Sequence, residues 1–353
     1  MKAAVFHAAR DVRVENIDPP GDLGAGQVRI RPRYCGICGT DLHEYQQGPI
    51  VIPTAPHPLT AACGPQILGH EFSGEVLEVG SGVSSLSPGD RVSVMPLISC
   101  GECWPCSRSM NHLCVKMAAV GLSYAWGGMS EEVVVSASSV SRLHDSMSMA
   151  AGALVEPTAV AAYGVDQAGV RPGDVVVITG AGPIGVLAAM YAASLGARVV
   201  VSETNRRRRE IAESLDIEIA IDPLAEDLED RVRSLSDGVG ACAAIECSGT
   251  EAALSSVLRS LRPSGIVTQT GLHTKPAAID AMLLSERDLT IRGTWCFPTR
   301  DWPRIIRLIG AKGLPVERIV TSIVPLDDIV ERGFIALNTP GHAEVKVLAD
   351  LST

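Results

Sequence analysis

The spacing of apolar and polar residues changes character near the middle of the chain. Up to about Ala150, short runs with apolar residues at alternate positions are separated by Gly- and Pro-rich turns, as in EFSGEVLEVGSGVSSLSPGDRVSVMP. Alternation with a period of two is typical of strands, and SPGD (Ser87–Asp90) is typical of a tight turn, because Pro presets one φ angle and Gly permits the unusual one. This part of the chain is predicted to be a compact, antiparallel, β-rich domain.

From about Gly173 the pattern becomes strand, helix, strand. Apolar runs of strand length alternate with stretches of helical length, and the runs are, in order, VVVIT, RVVVS, EIAID, ACAAIE, GIVTQTG and DLTIRG. Six strands joined by helical crossovers predict a parallel sheet with helices on both faces. After about Thr294 the pattern ends, and a helix near Trp302–Ile309 and a final β-run, AEVKVLA, are expected to pack back on the first domain.

These patterns predict an α/β protein of two domains. The β-rich domain is predicted to comprise residues 1–155 and 296–353, and the doubly wound domain with its six-stranded parallel sheet to comprise residues 156–295. A chain of 353 residues is long enough for both domains to have their own cores.

Composition and charge narrow the range of partners. The formal net charge of −10 argues against nucleic acid or an anionic membrane surface as the main partner. The start, MKAAVFHAAR, has no apolar core of signal-peptide length, and no apolar run approaches the roughly 20 residues of a membrane span. We therefore expect a cytoplasmic protein that binds neither nucleic acid nor membrane. In that reducing compartment the ten cysteines are not expected to form a disulfide framework.

The motif GAGPIG follows the first buried strand of the predicted parallel sheet and begins a helix. It comprises Gly180, Gly182, Pro183, Ile184 and Gly185. In this context the first glycine permits a tight turn, the second lets the main chain approach a pyrophosphate, and the third lets helix and strand pack closely. The phosphates would lie at the helix N-terminus, where free N–H groups and the helix dipole favour anions. We therefore predict a dinucleotide site at these residues.

A carboxylate after the second strand of this domain indicates which dinucleotide binds. Glu203 stands 18 residues after Gly185, where a carboxylate can accept hydrogen bonds from the adenosine ribose and would repel a 2′-phosphate. This favours NAD over NADP. The arginines at 206–209 could reach a 2′-phosphate, although a solvated helical face explains most of them, and one, Arg208, is predicted to lie over the adenine.

Four cysteines fall in one short loop, CGECWPCSRSMNHLC. Their spacing is C-x2-C-x2-C-x7-C, and they are Cys100, Cys103, Cys106 and Cys114. Four thiolates can surround one metal ion tetrahedrally and leave no open position, which is typical of a structural zinc site. The same residues could hold an iron–sulfur cluster.

A second group of potential ligands is spread along the chain. YCGICGTDLHEY contains Cys35 and Cys38, ILGHEFSG places His70 and Glu71 side by side 32 residues after Cys38, and Glu156 lies in an otherwise apolar run. A mixed set of sulfur, nitrogen and oxygen donors suits a catalytic zinc with an exchangeable position, and a metal would explain a carboxylate in apolar surroundings. The alternatives are a redox dithiol, a buried hydrogen-bond network at His70 and Glu71, and a helix-capping role for Glu156.

Taken together, these motifs resemble the zinc-dependent medium-chain dehydrogenases. CGICGTDLH, GHEFSGEVLEVGSGV, the four-cysteine loop, VEPTAVAAYGV and GAGPIG occur in the order and spacing of that superfamily, and the resemblance covers essentially the whole chain. The insertion GPIVIPTAPHPLT and Glu156 look most like the branch of the (R,R)-2,3-butanediol, sorbitol and threonine dehydrogenases. The resemblance implies a GroES-like catalytic domain joined to a Rossmann domain.

The resemblance also implies a site and a reaction. Zinc-dependent hydride transfer between NAD and a secondary alcohol would use two zinc ions per chain, a structural one in the four-cysteine loop and a catalytic one. The implied ligands of the catalytic zinc are Cys38, His70 and Glu71, with Glu156 binding directly or through water, and Cys35 becomes a small core residue.

Three further residues near Cys38 receive roles from the same resemblance. Thr40 and His43 resemble the family's proton relay, which passes a proton through the cofactor ribose towards the surface. Asp41 is expected to orient a metal ligand.

The substrate is the least determined part of the prediction. The preferred substrate prediction is a vicinal diol and its α-hydroxyketone, such as 2,3-butanediol and acetoin. The alternatives are a sorbitol-type polyol, a threonine-type amino alcohol and a general secondary alcohol. A catalytically silent dinucleotide-binding sensor is the non-enzyme alternative, and the complete ligand set argues against it. The pocket is expected near Tyr45, Pro96 and Trp126 by analogy, whereas His57 and His112 are expected on the surface.

The last strand of the predicted parallel sheet suggests an oligomer. LTIRGTWCF is apolar and lies at the sheet edge, where it could pair with the same strand of a second subunit. Together with the family resemblance, this predicts a homodimer or homotetramer.

Overall fold

The structure, a computed structural model, describes residues 1–215, 217 and 219–352. The chain forms two compact units, Met1–Glu156 with Pro298–Thr353 and Pro157–Phe297, which are called the first and second unit below. No helix of the described residues is long and apolar enough to cross a membrane.

Short strands dominate the N-terminal part of the first unit. The elements up to the boundary are β1 (Lys2–Ala8), β2 (Asp11–Asn16), β3 (Gln27–Gly36), α1 (Gly39–Gln47), β4 (Gln66–Ile67), β5 (Glu71–Val79), β6 (Arg91–Val94), β7 (Leu97–Ile98), β8 (Ala118–Ala119), β9 (Val133–Ser136), β10 (Val140–Arg142), α2 (Met149–Ala153) and α3 (Val155–Gln167). One-turn 3-10 helices occur at Cys106–Arg108, Asn111–Leu113 and Ala137–Ser139.

Strands and helices alternate in the second unit. Its further elements are β11 (Val175–Thr179), α4 (Pro183–Ser194), β12 (Arg198–Ser202), α5 (Arg206–Ser214), β13 (Ile219–Ile221), α6 (Leu228–Leu235), β14 (Ala241–Glu246), α7 (Glu251–Ser260), β15 (Leu261–Gln269), α8 (Ala281–Glu286) and β16 (Thr290–Gly293). The predicted run EIAID corresponds to β13, and its first residue, Glu218, lies outside the described residues.

The C-terminal part of the chain completes the first unit. It contains α9 (Trp302–Gly310), β17 (Val320–Pro325) and β18 (Lys346–Asp350), with 3-10 helices at Thr299–Asp301, Val316–Ile319 and Leu326–Asp328 and a π-helix at Ile329–Ile335. The helix predicted near Trp302–Ile309 is therefore confirmed.

The main sheet of the first unit is largely antiparallel. Its strand order is β10-β6-β5-β3-β18-β17, with β9 also paired to β3, and only β17 and β18 are parallel among these described pairs. In β5, Phe72 and Val76 share one face of the strand and are buried in the core, whereas Glu75, on the opposite face, is only part-buried, as the alternating pattern predicts. The predicted turn after β5 is confirmed, since the Asp90 N–H donates to the Ser87 carbonyl oxygen at 3.1 Å.

The second unit contains the predicted parallel sheet. Strand order is β13-β12-β11-β14-β15-β16, and each neighbouring pair in that order is parallel. All five residues of β11 are buried, because helices cover both faces of a doubly wound sheet. The prediction of an α/β protein with a six-stranded, parallel, doubly wound sheet is confirmed.

Candidate metal and dinucleotide sites

The first helix of the chain brings Cys38 into a buried corner of the first unit. Cys38 immediately precedes α1, and the Asp41 carboxylate, on the first turn of that helix, accepts the Cys38 N–H through Oδ2 at 2.9 Å. Asp41 is fully buried, so this bond also supplies one of the partners that a buried carboxylate needs. The position of the Cys38 thiol is therefore set by the start of the helix.

His70 and Glu71 reach the same corner from the start of β5. The preceding residue, Gly69, has a φ of 101°, and a Cβ there would lie 2.6 Å from the Cys35 sulfur. Only glycine fits this left-handed, crowded position. Cys35 is fully buried against it, which confirms Cys35 as a small core residue.

The three side chains meet closely enough to share one ion. One potential ligand atom from each of Cys38, His70 and Glu71 lies within 4.8 Å of the other two. We call these three residues the mixed-donor cluster. His70 Nδ1 faces Asp41 Oδ1 at 3.6 Å, so Asp41 is placed to orient the ring, as proposed for it from the sequence.

The electrostatics of the cluster favour a bound cation. Burial raises the pKa of the Cys38 thiol, and burial together with the Glu71 carboxylate raises the pKa of Glu156 to about 8. Burial lowers the pKa of His70, but Asp41 and the Cys38 sulfur outweigh it and the net shift is upward. A divalent cation would offset the cost of charging the buried thiol and carboxylates, because it is the largest local positive charge such a site can hold. These residues therefore fit a zinc ion.

Lys346 was missed by the sequence analysis. It is 1% exposed, its ammonium contacts Glu71 Oε2, and it donates to the Ile37 carbonyl oxygen at 2.9 Å. Burial lowers the pKa of Lys346, but the Glu71 carboxylate outweighs it and the net shift is upward. The available signal was a single lysine inside the apolar run AEVKVLA, where a charge needs a partner.

Three further residues that were predicted for this site are Glu156, Thr40 and His43. Glu156 is buried in the first turn of α3, close enough for its charge to act on Glu71 and Lys346. Thr40 Oγ1 lies 3.7 Å from the Cys38 sulfur. His43 is part-buried, three residues further along α1 and so on the same helical face as Thr40.

The residues predicted around the pocket and on the surface are placed as follows. The rings of Tyr45 and Phe334 lie 5.6 Å apart, and Trp126 packs part-buried on the core of the first unit. Pro96 is buried, and its carbonyl oxygen accepts the N–H of the residue at position 120. His57 is part-buried.

The prediction that His112 is a surface residue is wrong. His112 is 4% exposed in the 3-10 turn Asn111–Leu113, and burial, followed by the nearby charge of Arg300, lowers its pKa. Sequence reasoning tested only for metal-ligand spacing, which does not detect a histidine that is buried by packing.

The four-cysteine loop brings its sulfur atoms together. Any two of the four ligand atoms lie within 4.8 Å, with Cys100 and Cys114 sulfurs 3.5 Å apart and Cys103 and Cys114 sulfurs 3.9 Å apart. Tetrahedral Zn–S bonds of about 2.3 Å imply sulfur separations of about 3.8 Å. The spacing fits a single ion and leaves too little room for a cluster of several irons. We call Cys100–Cys114 the cysteine lobe.

Main-chain N–H groups in and next to the cysteine lobe stabilise the thiolate form of its cysteines. N–H groups of Cys106 and Val115 lower the pKa of Cys103 to about 6. Main-chain N–H groups also donate to the Cys114 sulfur, from Cys100 at 3.3 Å and from Lys116 at 3.4 Å. Donors aimed at sulfur stabilise the thiolate, which is the form that binds metal.

The GAGPIG turn of the second unit has the geometry that its sequence predicts. Gly180 has a φ of 82°, and a Cβ on Gly185 would lie 1.8 Å from the Gly180 carbonyl oxygen. Gly182 caps α4, has open space where a Cβ would lie, and is followed by Pro183 at the first helical position. Ile184 follows in the first turn. The turn therefore presents free main-chain donors at a helix N-terminus, which fits a pyrophosphate.

Glu203, which was predicted to bind the adenosine ribose, also forms a hydrogen bond with the GAGPIG turn. Its Oε2 accepts the Ala181 N–H at 2.6 Å, and its Oε1 accepts the Asn205 N–H at 2.7 Å. Sequence reasoning assigned it only to the ribose. The carboxylate is 8% exposed, and it fixes the turn that would receive the phosphates.

The arginines that begin α5 are engaged within the protein. Arg206 and Arg207 pair with Glu210, and Arg209 donates to the main-chain oxygens of residues 203 and 204 and pairs with Asp222 at 3.0 Å. The Arg208 N–H donates to the Asn205 side chain at 3.2 Å, and its side chain is part-buried. The expectation of a mainly solvated helical face holds for Arg206 and Arg207, which are exposed.

Comparisons with known proteins show the family to which the chain belongs. The family description "Alcohol dehydrogenase GroES-like domain" matches residues 24–145, and "Zinc-binding dehydrogenase" matches residues 183–311. The chain is 33% identical to an (R,R)-butanediol dehydrogenase of Neisseria gonorrhoeae and 36% identical to one of Bacillus subtilis, each over 99% of both chains. A crystal structure of 2R,3R-butanediol dehydrogenase from Bacillus subtilis superposes with a TM-score of 0.92, at 35% identity and 99% coverage of both chains.

Proposed function

The chain belongs to the zinc-binding dehydrogenases with an alcohol dehydrogenase GroES-like domain, and we propose that within this family it interconverts a vicinal diol and its α-hydroxyketone. The proposed pair is (R,R)-2,3-butanediol and acetoin, with NAD as the cofactor. Membership of the family gives the reaction class without the specific substrate: the protein is a zinc-dependent alcohol oxidoreductase that uses a nicotinamide dinucleotide.

The observation that carries the substrate proposal is similarity along the full chain. Identities of 33% and 36% over 99% of both chains join it to two (R,R)-butanediol dehydrogenases, so no domain of either relative lacks a counterpart here. The mixed-donor cluster supports the reaction class, because its sulfur, nitrogen and oxygen donors suit a zinc that also accepts a substrate.

The reaction removes two hydrogens from the alcohol in different forms. The carbon-bound hydrogen leaves as hydride to the nicotinamide, and the hydroxyl hydrogen leaves as a proton, which gives ketone, NADH and H⁺. When bound, zinc supplies a Lewis acid that makes the hydroxyl more acidic, and the nicotinamide supplies the hydride acceptor.

The first unit supplies the residues that would hold this zinc. Cys38 and His70 are the proposed ligands from α1 and β5, with Glu71 and Glu156 as carboxylates that bind directly or through water. Lys346 contacts Glu71, so the charge of that carboxylate would be shared between the lysine and a bound ion. This pairing favours Glu71 as the weaker and more exchangeable of the donors.

The proton needs acceptors on the protein. We propose that Thr40, beside Cys38, accepts it from the substrate hydroxyl and that His43 passes it towards solvent. Both residues lie on the same face of α1, and His43 is only part-buried.

The cysteine lobe is proposed to hold a second, structural zinc. Its four ligands come from one loop and leave no position for a substrate. This gives two zinc ions per chain with separate roles.

NAD is proposed over NADP because of Glu203. Its carboxylate follows β12 and is fixed by two main-chain N–H groups, so a 2′-phosphate at this position would meet a buried negative charge. Three of the four arginines that could compensate, Arg206, Arg207 and Arg209, already pair with Glu210 or Asp222.

A single kinetic comparison tests substrate and cofactor together. We expect NADH formation with (R,R)-2,3-butanediol to exceed that with sorbitol, L-threonine or 2-propanol by about 100-fold or more in kcat/KM, and NADP to be used about 100-fold less well than NAD. A preference for sorbitol would replace the diol by a polyol. Turnover of none of the four by the zinc-loaded protein would favour the silent sensor.

We also propose a homodimer or homotetramer formed through the edge of the Rossmann sheet. Strand β16 is the outer strand of the sheet and is largely exposed. Large apolar side chains near it are also exposed, namely Leu272, Ile279, Met282 and Trp295. An open strand edge with apolar surroundings favours pairing with a second copy. Light scattering at micromolar concentration should give at least twice the chain mass of 37.1 kDa, and a monomer would contradict the proposal.

A further inference from the structure

A fully buried carboxylate lies at the end of β14, at the edge of the parallel sheet that carries the GAGPIG turn. Glu246 is 0% exposed, so hydrogen bonds must replace its water. Its Oε1 accepts the main-chain N–H groups of Ser248 at 2.8 Å and Gly249 at 3.0 Å and the hydroxyl of Ser248, and His273 Nε2 lies 3.4 Å from its Oε2. The carboxylate therefore fixes the loop that follows its own strand, through hydrogen bonds that its charge strengthens.

The same residue is bonded to the two neighbouring strands. The Thr179 hydroxyl, at the end of β11, donates to Glu246 Oε1 at 3.3 Å, and the Gln269 amide, at the end of β15, donates to Oε2 at 2.6 Å. The Glu246 carbonyl oxygen accepts the N–H groups of Thr270 at 3.0 Å and Gly271 at 2.7 Å. Glu246 thus joins the carboxyl ends of three adjacent strands.

The loops after β14 and β15 pack against each other around this carboxylate. A Cβ on Gly271 would lie 2.6 Å from the Gly249 nitrogen and 2.8 Å from Glu246 Oε2. A Cβ on Gly249 would lie 2.4 Å from the Leu272 carbonyl oxygen. Glycine is required at both positions because the two main chains pass so close together. We call the two loops, residues 248–249 and 270–272, the loop wall.

The loop wall stands beside the GAGPIG turn, at the point where the strand order reverses. From β11 the chain continues to β12 and β13 on one side, whereas β14, β15 and β16 lie on the other side. Ligands of a doubly wound sheet bind in the crevice at this point, outside the carboxyl ends of the strands. A Cβ on Gly180 would lie 3.2 Å from the Ser248 Cα, so the turn and the loop wall are direct neighbours.

The place of Glu203 indicates which half of a dinucleotide would meet the loop wall. Glu203 follows β12 and is the proposed partner of the adenosine ribose, and the pyrophosphate is proposed at the N-terminus of α4, which follows β11. The two halves of a dinucleotide extend to opposite sides of the reversal point. The nicotinamide nucleoside would therefore lie on the β14 side, next to the loop wall.

We propose that Glu246 is a positioning residue for the nicotinamide half of the cofactor: it holds the loop wall in the shape that receives the nicotinamide nucleoside. The inference rests on the proposed function and deepens it. Because Glu246 is fully buried, it acts through the loop wall and does not itself touch the cofactor. Its role is thus distinct from that of Glu203, which would bind the adenosine ribose directly.

The test uses two ligands that separate the halves of the cofactor. NADH contains both nucleosides, whereas ADP contains the adenosine and two phosphates and lacks the nicotinamide nucleoside. In the full-length, zinc-loaded protein, Glu246→Gln is expected to raise the Kd for NADH about 10-fold and to change the Kd for ADP less than about 2-fold, because an NH2 group in place of either oxygen opposes the donors that hold the loop wall. Isothermal titration calorimetry measures both Kd values.

Glu44→Gln is the matched control. Glu44 is also 0% exposed and also accepts main-chain N–H groups, those of Ile50 at 2.9 Å and Ile52 at 3.2 Å, but it belongs to the first unit. The two variants lose the same kind of buried hydrogen bond, so a general loss of stability would appear in both. We expect Glu44→Gln to leave the Kd values for NADH and ADP unchanged.

A milder variant tests the same link if Glu246→Gln does not fold. Thr179→Val removes a hydroxyl that Glu246 accepts and keeps the shape of a side chain that is 2% exposed. We expect it to raise the Kd for NADH about 3-fold and, added to Glu246→Gln, to raise it no further, because residues that act through one another are not additive. Thr268→Val, which removes another buried hydroxyl, bonded to the Ala244 carbonyl oxygen at 3.4 Å, should change neither Kd.

The outcomes separate this inference from the function on which it rests. A parent protein that binds NADH, with unchanged NADH affinity in both Glu246→Gln and Thr179→Val, overturns the inference alone. An equal loss of NADH and ADP affinity also overturns it, since Glu246 would then support the whole cleft and not the nicotinamide half. A parent protein that binds neither NADH nor ADP overturns the dinucleotide site and the proposed function with it.

Discussion

Serine in place of Cys38 is expected to lower kcat with the diol by about 10³-fold or more and to remove one of two zinc ions per chain. A metal Lewis acid contributes several kcal/mol to the reaction, and each 1.36 kcal/mol corresponds to about tenfold in rate. Serine is a much weaker zinc ligand than a thiolate and leaves His70 and the carboxylates without their sulfur partner. Metal analysis by mass spectrometry and NADH formation measure the two effects.

The control for this variant is Cys63→Ser, at an exposed cysteine that belongs to neither metal group. It should keep two zinc ions and the parent rate. Parent-like turnover in Cys38→Ser would contradict the proposed mechanism, because the reaction would then proceed without the sulfur donor of the mixed-donor cluster.

Serine in place of Cys103 is expected to lower the thermal stability of the protein more than its catalytic rate. Loss of one of four thiolates should empty the cysteine lobe of its ion and lower Tm by about 10 °C, since a structural zinc contributes folding free energy directly. The zinc content should fall from two to one per chain, while kcat of the protein that remains folded should fall far less than in Cys38→Ser. Calorimetry and metal analysis on the same sample test this.

Glu102→Gln is the matched control within the cysteine lobe. Glu102 pairs with Lys116 at 2.9 Å, but both side chains are largely exposed, and such ion pairs contribute roughly 0–1 kcal/mol. We expect a change in Tm of at most about 2 °C. If Cys103→Ser retains two zinc ions and the parent Tm, the lobe is not a metal site.

The fold could be predicted closely because its signals are local. The burial of Phe72 and Val76 on one face of β5, and of the four apolar residues of β11, reflects which faces of a strand are covered, and that depends on period rather than on distant partners. The glycines of GAGPIG are determined in the same way, since the tight approach of Gly185 to Gly180 arises within one turn. The cysteine lobe draws all four of its potential ligands from 15 consecutive residues.

The surroundings of the candidate zinc site were less accessible to sequence reasoning. Lys346 contacts Glu71 across a separation of 275 residues, and nothing in the order of residues joins the last strand to the start of β5. His112 was assigned to the surface because it has no partner at metal-ligand spacing, and that criterion does not detect burial by packing.

By itself, the sequence determined the two-domain α/β class, the dinucleotide turn and the residue types of both metal groups, because each depends on spacing within a short stretch. Only the tertiary structure decided which charges share the buried corner around Cys38 and how Lys346 is paired there. The physical reason is that a charge is costly to bury until its partner has arrived, and those partners are delivered by packing between segments far apart in the chain.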